Sequence, residues 1–276
     1  SAHNVEAKAG YSYFGRKITA FSASGQGAAT DLIPTLNASA TYPLVTSTIT
    51  DQVILGYFGR LNYDYRQRYL LTINARYDGA SNLGADNRWG FFPGIALGWN
   101  LHQERFWESV PSLVSRLKLR ASYGVNGNIS GLNDFQARGE YGLATTTGQQ
   151  RYGGIPGIQQ ITLPNPNLKW ERSKTLDFGA DLSLLGNRVT VLFDYFRRVT
   201  DDLLTNLTLP QSTGFSTIFT NLASLENRGL EFELSAQVLP ASSELQWNVA
   251  FNASRVRNKI LRLPNNGQEF NRVGGI

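Results

Sequence analysis

Strict alternation of apolar and polar side chains, held over stretches of about a dozen residues, limits what this chain can fold into more than any other feature of its sequence. Successive side chains of a β-strand point to opposite faces, so each stretch makes a ribbon that is dry on one side and wet on the other. One face collects Tyr69, Leu71, Ile73, Ala75 and Tyr77, then Leu117, Leu119, Ala121, Tyr123 and Val125, then Val189, Val191, Phe193 and Tyr195. Leu230, Phe232, Leu234, Ala236 and Val238, and then Leu245, Trp247, Val249, Phe251 and Ala253, continue the series. None of these is charged. Arg76, Lys118, Arg120, Asp194, Glu231 and Glu233 stand among the interleaved positions. A helical period is nearly missing, and the pattern predicts an all-β, antiparallel fold.

A soluble sandwich also has one dry face, so the solvent must be decided by other features. The strands are long. Nine read near 3–15, 52–64, 68–79, 89–101, 115–127, 171–185, 188–199, 227–239 and 244–257. At about 12–14 residues they exceed the soluble mean of about 5–6, and about 13 residues tilted by about 40° climb some 33 Å, enough to cross an apolar band. Connections alternate in length as well. Short turns fall near Tyr65–Gln67, at Gly186-Asn187 and at Pro240–Ser243, and 102–114 has room for one helical turn. The links 17–51, 79–88, 128–169 and 200–226 are mostly long and rich in Gly, Asn, Thr and Pro. Aromatic rings gather near strand ends: Tyr63, Tyr65, Tyr69, Trp99 and Trp247 by the short turns, Trp89 and Trp170 on the long-link side. Rings at both borders of an apolar band form the girdles of a membrane barrel. An odd number of strands does not close a bacterial single-chain barrel of the usual kind, so 1–276 is expected to be part of a larger one.

Composition closes other routes. No apolar run approaches the roughly 18–20 residues of a spanning helix, and mean hydropathy is −0.25. The net charge of +5 is spread along the chain with acids among the bases, so no nucleic-acid partner is implied. Cysteine is absent, and His3 and His102 stand far apart, leaving no familiar metal or thiol chemistry. With no methionine and no leader-like start, the chain reads as a piece of a longer exported protein.

Candidate chemistry is sparse. Glu231 and Glu233 lie about 6.6–7 Å apart along a strand, inside the carboxylate spacing of inverting glycosidases. Acidic pairs are equally expected on any strand turned to an aqueous lumen. Gly25-Gln26-Gly27 lacks the third glycine and the helix of a dinucleotide loop. Asp78, Asn82, Asp86 and Asn87 offer oxygens to calcium without the usual order of ligands, and turn chemistry explains Asp78-Gly79 equally well. Neither G-x-S-x-G nor a P-loop occurs. The expectation is a non-enzyme with no catalytic residues, resident metal or cofactor.

Several strings resemble one family. Gly56-Tyr57-Phe58-Gly59-Arg60-Leu61-Asn62-Tyr63, Arg68-Tyr69-Leu70-Leu71-Thr72, Arg76-Tyr77-Asp78-Gly79-Ala80-Ser81 and Asn87-Arg88-Trp89-Gly90-Phe91-Phe92-Pro93 are similar to the barrel of SusC/RagA-type TonB-linked outer-membrane transporters. So are Leu117-Lys118-Leu119-Arg120-Ala121-Ser122-Tyr123-Gly124, Leu163-Pro164-Asn165-Pro166-Asn167-Leu168-Lys169-Trp170-Glu171 and Asn227-Arg228-Gly229-Leu230-Glu231-Phe232-Glu233-Leu234. The resemblance runs over nearly the whole chain. It implies the middle portion of a 22-stranded transmembrane β-barrel in the bacterial outer membrane, with a plug domain upstream and further strands downstream. It also implies a SusD-like surface lipoprotein, the TonB complex acting through the missing N-terminal region, lipid around the barrel, and an oligosaccharide (glycan) or peptide substrate.

A barrel places Arg76, Lys118, Arg120, Asp177, Asp181, Glu231 and Glu233 toward the lumen and plug, while Tyr141, Arg151 and Tyr152 are loop candidates for a ligand or lid. Two alternatives remain open: a siderophore or cobalamin receptor of the same membrane class, and a soluble β-sandwich adhesin that binds glycans.

Overall fold

The computed structural model describes residues 2–143, 151–152, 155–240 and 242–263. Its strands are β1 (His3–Gln26), β2 (Thr41–Tyr65), β3 (Tyr69–Ala80), β4 (Trp89–Asn100), β5 (Val114–Asn128), β6 (Tyr141–Leu143), β7 (Arg151–Tyr152), β8 (Ile155–Pro156), β9 (Ile158–Gln160), β10 (Glu171–Leu184), β11 (Val189–Thr208), β12 (Thr217–Gln237) and β13 (Asn248–Arg262). Nine of them form one sheet in the order β1-β2-β3-β4-β5-β10-β11-β12-β13, while β6 pairs with β9 and β7 with β8. Every neighbouring pair in the large sheet is antiparallel. The nine expected strands are all present, each meeting its sequence neighbour. Among the described residues no second sheet covers the apolar face.

The short turns follow from local chemistry. Between β2 and β3, Arg66 and Gln67 have φ of 52° and 57°, the mirror-image turn whose twist matches that of the flanking strands. Arg68 N–H donates to the Tyr65 carbonyl at 2.9 Å, and Asp64 Oδ1 accepts from Gln67 N–H at 2.6 Å. Between β10 and β11, Leu185, Gly186 and Asn187 all take positive φ, at little steric cost for Gly186. The 102–114 segment carries a pair of short 3-10 turns, Leu101–Gln103 and Arg105–Ser109.

Two of the expected long links are mostly strand. The ladder of β1 and β2 runs on to Gln26↔Thr41, so 17–51 is largely a hairpin standing beyond the band. Likewise β11 and β12 stay paired as far as Thr208↔Thr217, leaving only a short loop inside 200–226. Thr, Ser and Asn in these stretches pair as well as apolar residues once the neighbouring strand supplies the ladder. The last strand also begins at Asn248 and not at 244.

The buried core lies at the long-link end and not under the sheet. Ala80, Leu83, Phe92, Val125, Leu132, Ala137, Leu168 and Trp170 pack together there. The apolar sheet face stays open, with Leu97 53%, Phe178 48% and Phe251 54% exposed. A continuous uncovered apolar face of this extent calls for an apolar solvent or partner.

Candidate functional site: the two faces of one wall

Hydrogen-bonded rows run perpendicular to the strands and reveal how the sheet sits. One outward row reads Ile73, Ile95, Tyr123, Leu176, Arg197, Arg228 and Arg257 from β3 to β13. It begins apolar and ends basic, as a row does when it climbs out of an apolar band on tilted strands. The border yields the tilt. On β10 the first outward charge is Lys174, which connects through Val199 and Glu226 to Lys259 on β13. On β13 the first outward charge comes four residues earlier, at Arg255. Four residues are about 13 Å along the strand, and three inter-strand steps are about 14 Å across. The angle is about 43°, within the tilt range of transmembrane barrels.

Aromatic girdles bracket the band. Tyr69 stacks on Trp99 at 6.2 Å and on Tyr65 at 6.3 Å by the short turns. At the other border Trp89 stacks on Tyr77 at 4.9 Å and on Tyr57 at 6.2 Å. Trp170 does not join them. It is buried, meets Phe92 edge-on at 5.2 Å, and donates its indole N–H to the Arg88 carbonyl at 2.8 Å.

The opposite face is ionic. Arg120 bridges Asp181 at 2.8 Å and Asp194 at 3.0 Å. Gly179 makes room for the second bridge, since a Cβ there would run into Asp194 Oδ1 and stand 2.7 Å from the guanidinium. Asp177, Glu231 and Glu233 share this face and take part in no ion pair among the described residues. Lys118 lies opposite Asp181 in the ladder. Arg76 instead grips Asp78, with Nη2 at 2.7 Å from Oδ1 and Nε at 2.9 Å from Oδ2. That grip occupies the carboxylate weighed above for calcium. Tyr141 is 68% exposed on β6, and β7 pairs with β8 through backbone. The side chains of Arg151 and Tyr152 lie outside the described residues.

The structure thus joins Arg120, Asp177, Asp181, Glu231 and Glu233 into one acidic patch and sets Arg76 apart. Arg76 lines a hollow of about 750 Å³ with Lys8, Arg60 and Arg198. Lys8, Arg60, Asn74, Gly94, Gly124, Thr175 and Arg198 form a single row, and the two glycines open the space between its cations. Asp194, the second anchor of Arg120, stands among the interleaved positions read from the sequence but not in the set of lumen residues drawn from it. Its alternation phase was the available signal, but only the ladder brings it to Arg120. Chemically this face is a wet, charge-segregated wall suited to holding polar polypeptide or solute.

Long tilted strands with a girdled apolar face and an ionic reverse define a segment of a transmembrane β-barrel. The chain belongs to the TonB-dependent receptor-like β-barrel family, which it matches over residues 2–273. It is 34% identical to TonB-dependent receptor P3 of Formosa agariphila over 272 residues, covering 98% of this chain and 27% of that protein. With TonB-dependent receptor SusC of Bacteroides thetaiotaomicron it shares 36% identity, across 79% of this chain and 22% of SusC. The fold superposes on the structure of the RagAB peptide transporter with a TM-score of 0.83 at 23% identity, covering 95% of this chain and 28% of that one. The chain spans about a quarter of the length of the curated relatives it matches.

Proposed function

We propose that this segment is part of the barrel wall of an outer-membrane importer energised through TonB. The opposition of an apolar outer face to an ionic inner face carries the reading, because a channel wall needs lipid on one side and a hydrated, polar filling on the other. The inner wall holds a plug domain, with the acidic patch around Arg120 engaging basic groups and the Arg76 hollow engaging acidic ones. The chain region is the middle of a larger barrel, non-enzymatic, with the long-link end outside the cell. A SusD-like lipoprotein caps that end, where Tyr141, Arg151 and Tyr152 contribute to lid or ligand contacts. Oligosaccharides or peptides are the cargo. Likeness to SusC and to the RagAB fold supports this choice over a siderophore receptor.

The test uses the full-length receptor in its own cells. Uptake of labelled oligosaccharides and peptides is measured with and without TonB, beside co-purification of a surface lipoprotein. Deleting 140–154 is expected to weaken lipoprotein association or uptake at normal surface expression. TonB-independent uptake, or unchanged uptake and lid binding after the deletion, refutes the respective part.

A further inference from the structure

The upper border of the apolar face is strongly basic. The first outward charge above the apolar run is Lys174 on β10, Arg197 on β11, Arg228 on β12 and Arg255 on β13, with Arg257 two positions on. Two are neutralised locally: Lys174 by Asp201 at 2.9 Å and Arg197 by Glu226 at 2.5 Å. Arg228, Arg255 and Arg257 take part in no ion pair among the described residues. Together with Tyr195, Gly229 and Leu230 they line a hollow of about 330 Å³. Ladder pairing fixes their side: Arg255 lies opposite Leu230, and Arg257 opposite Arg228, on the face that carries Phe232 and Phe251.

Among the described residues no acid pairs with the three guanidinium groups around this hollow, so they repel each other, and the arrangement becomes favourable when an anion enters. Guanidinium groups bind phosphate oxygens in pairs of parallel hydrogen bonds. Directly below the hollow runs an apolar strip, Leu230, Phe193, Phe232 and Phe251, of the kind that accepts acyl chains. Cations above an apolar strip match the layout of a phosphorylated lipid, headgroup over tails. A soluble phosphate compound would gain nothing from the strip.

We propose that Arg228, Arg255 and Arg257 form an outward-facing site for the phosphorylated headgroup of an outer-leaflet lipid. The site rests on the membrane orientation proposed above, and its test is independent of transport. Full-length receptor is purified, stripped of lipid and titrated in dodecylmaltoside micelles with bisphosphorylated lipid A or its dephosphorylated form, and bound lipid is counted by native mass spectrometry. Wild type is expected to prefer the phosphorylated lipid at least about tenfold. The R228Q/R255Q/R257Q variant should lose that preference, R255Q alone should lose part of it, and R105Q, at an exposed arginine of the short-turn end, should keep it. Heat-modifiable gel mobility checks folding, and R255Q serves if the triple variant does not fold. Equal affinity for both lipids in wild type overturns the proposal, as does an unchanged preference in the variants. Loss of self-association with unchanged lipid preference also overturns it, by making the cations a protein interface. Failure of the importer reading would show separately, as TonB-independent uptake by wild type.

Discussion

Arginine placed along the outward positions of β12 is expected to cost stability in proportion to depth, with a maximum at Phe232 and Leu234. The outward side chains there run Arg228, Leu230, Phe232, Leu234, Ala236. Phe232 is four residues below Arg228, about 13 Å along the strand and about 10 Å in depth at a tilt near 43°. In an apolar band about 25 Å tall this is within about 3 Å of the midplane, where an arginine costs about 2–4 kcal/mol. Leu234, at a depth of about 15 Å, falls in the same range. Leu230 lies about 5 Å below the border and Ala236 about 5 Å above the opposite one, so about 1 kcal/mol is expected at each. Glu231→Gln and Glu233→Gln, facing the other way, should stay within about 0.5 kcal/mol. The assay is denaturant-dependent folding of the full-length receptor into phosphatidylcholine vesicles, read by heat-modifiable gel mobility. Phe232→Ala removes the contact with Phe251, whose ring centroid is 6.2 Å away, and its cost is subtracted. A flat profile along the outward positions, or a larger cost on the inner face, would refute the assignment of faces.

Gly179→Ala should cost about 0.5–1 kcal/mol in the same assay, because the new methyl pushes Asp194 Oδ1 and the Arg120 guanidinium out of their partly exposed bridge. A cost under about 0.5 kcal/mol would show that the pocket yields freely. At the short-turn end, Glu104 is held below the usual carboxylate range, first by the Tyr69 hydroxyl and then by the Trp99 indole N–H that donate to it. A depressed folded-state pKa contributes stability that is complete above the unfolded value and is lost as pH falls through the folded one. Hydrogen exchange in 101–110, corrected for intrinsic rates, should therefore lose protection on acidification below the ordinary carboxylate range, and Glu104→Gln should flatten that response. An identical response in the variant would assign the acid sensitivity to another group. Protease added to intact cells should cut within 129–170 and spare 185–188. The reverse pattern would invert the wall.

Strand number, order and facing were legible because a period of two is a local property, visible in runs such as Leu230 to Val238 without knowledge of any partner. The short turns were legible for a similar reason: Gly186-Asn187 states its own backbone requirement. Register was not. Nothing in the sequence says that Lys118 lies opposite Asp181, that Arg120 reaches across Gly179 to Asp194, or that Ile73 and Arg257 share a row. The ends of β1, β2, β11 and β12 were misjudged because polar Thr, Ser and Asn were read as loop, whereas above the membrane both faces of a hairpin are wet and alternation fades. Trp170 lies on the long-link side as its place in the sequence implies, but its indole is buried among those links and takes no place in the girdle.

That burial changes what the long links are able to do. Gly84 N–H donates to the Leu168 carbonyl at 3.0 Å, and Asn165 Nδ2 donates to the Phe219 carbonyl at 2.8 Å. Asn221 Oδ1 accepts from Lys169 N–H at 3.0 Å, while its Nδ2 donates to the Lys169 carbonyl at 2.9 Å. These bonds tie the 81–88 and 163–170 links to each other and to β12, around a Leu168 that is 0% exposed. A polar, proline-rich stretch is thereby fixed as a platform at one end of the wall, since buried backbone groups that are paired cost much to release. Tyr141 projects beyond that core, and a deletion of 140–154 leaves Leu132, Ala137, Leu168 and Trp170 in place. Deleting 140–154 is therefore expected to separate recognition from assembly: a partner held by that stretch would be lost while the platform and the sheet below it stand.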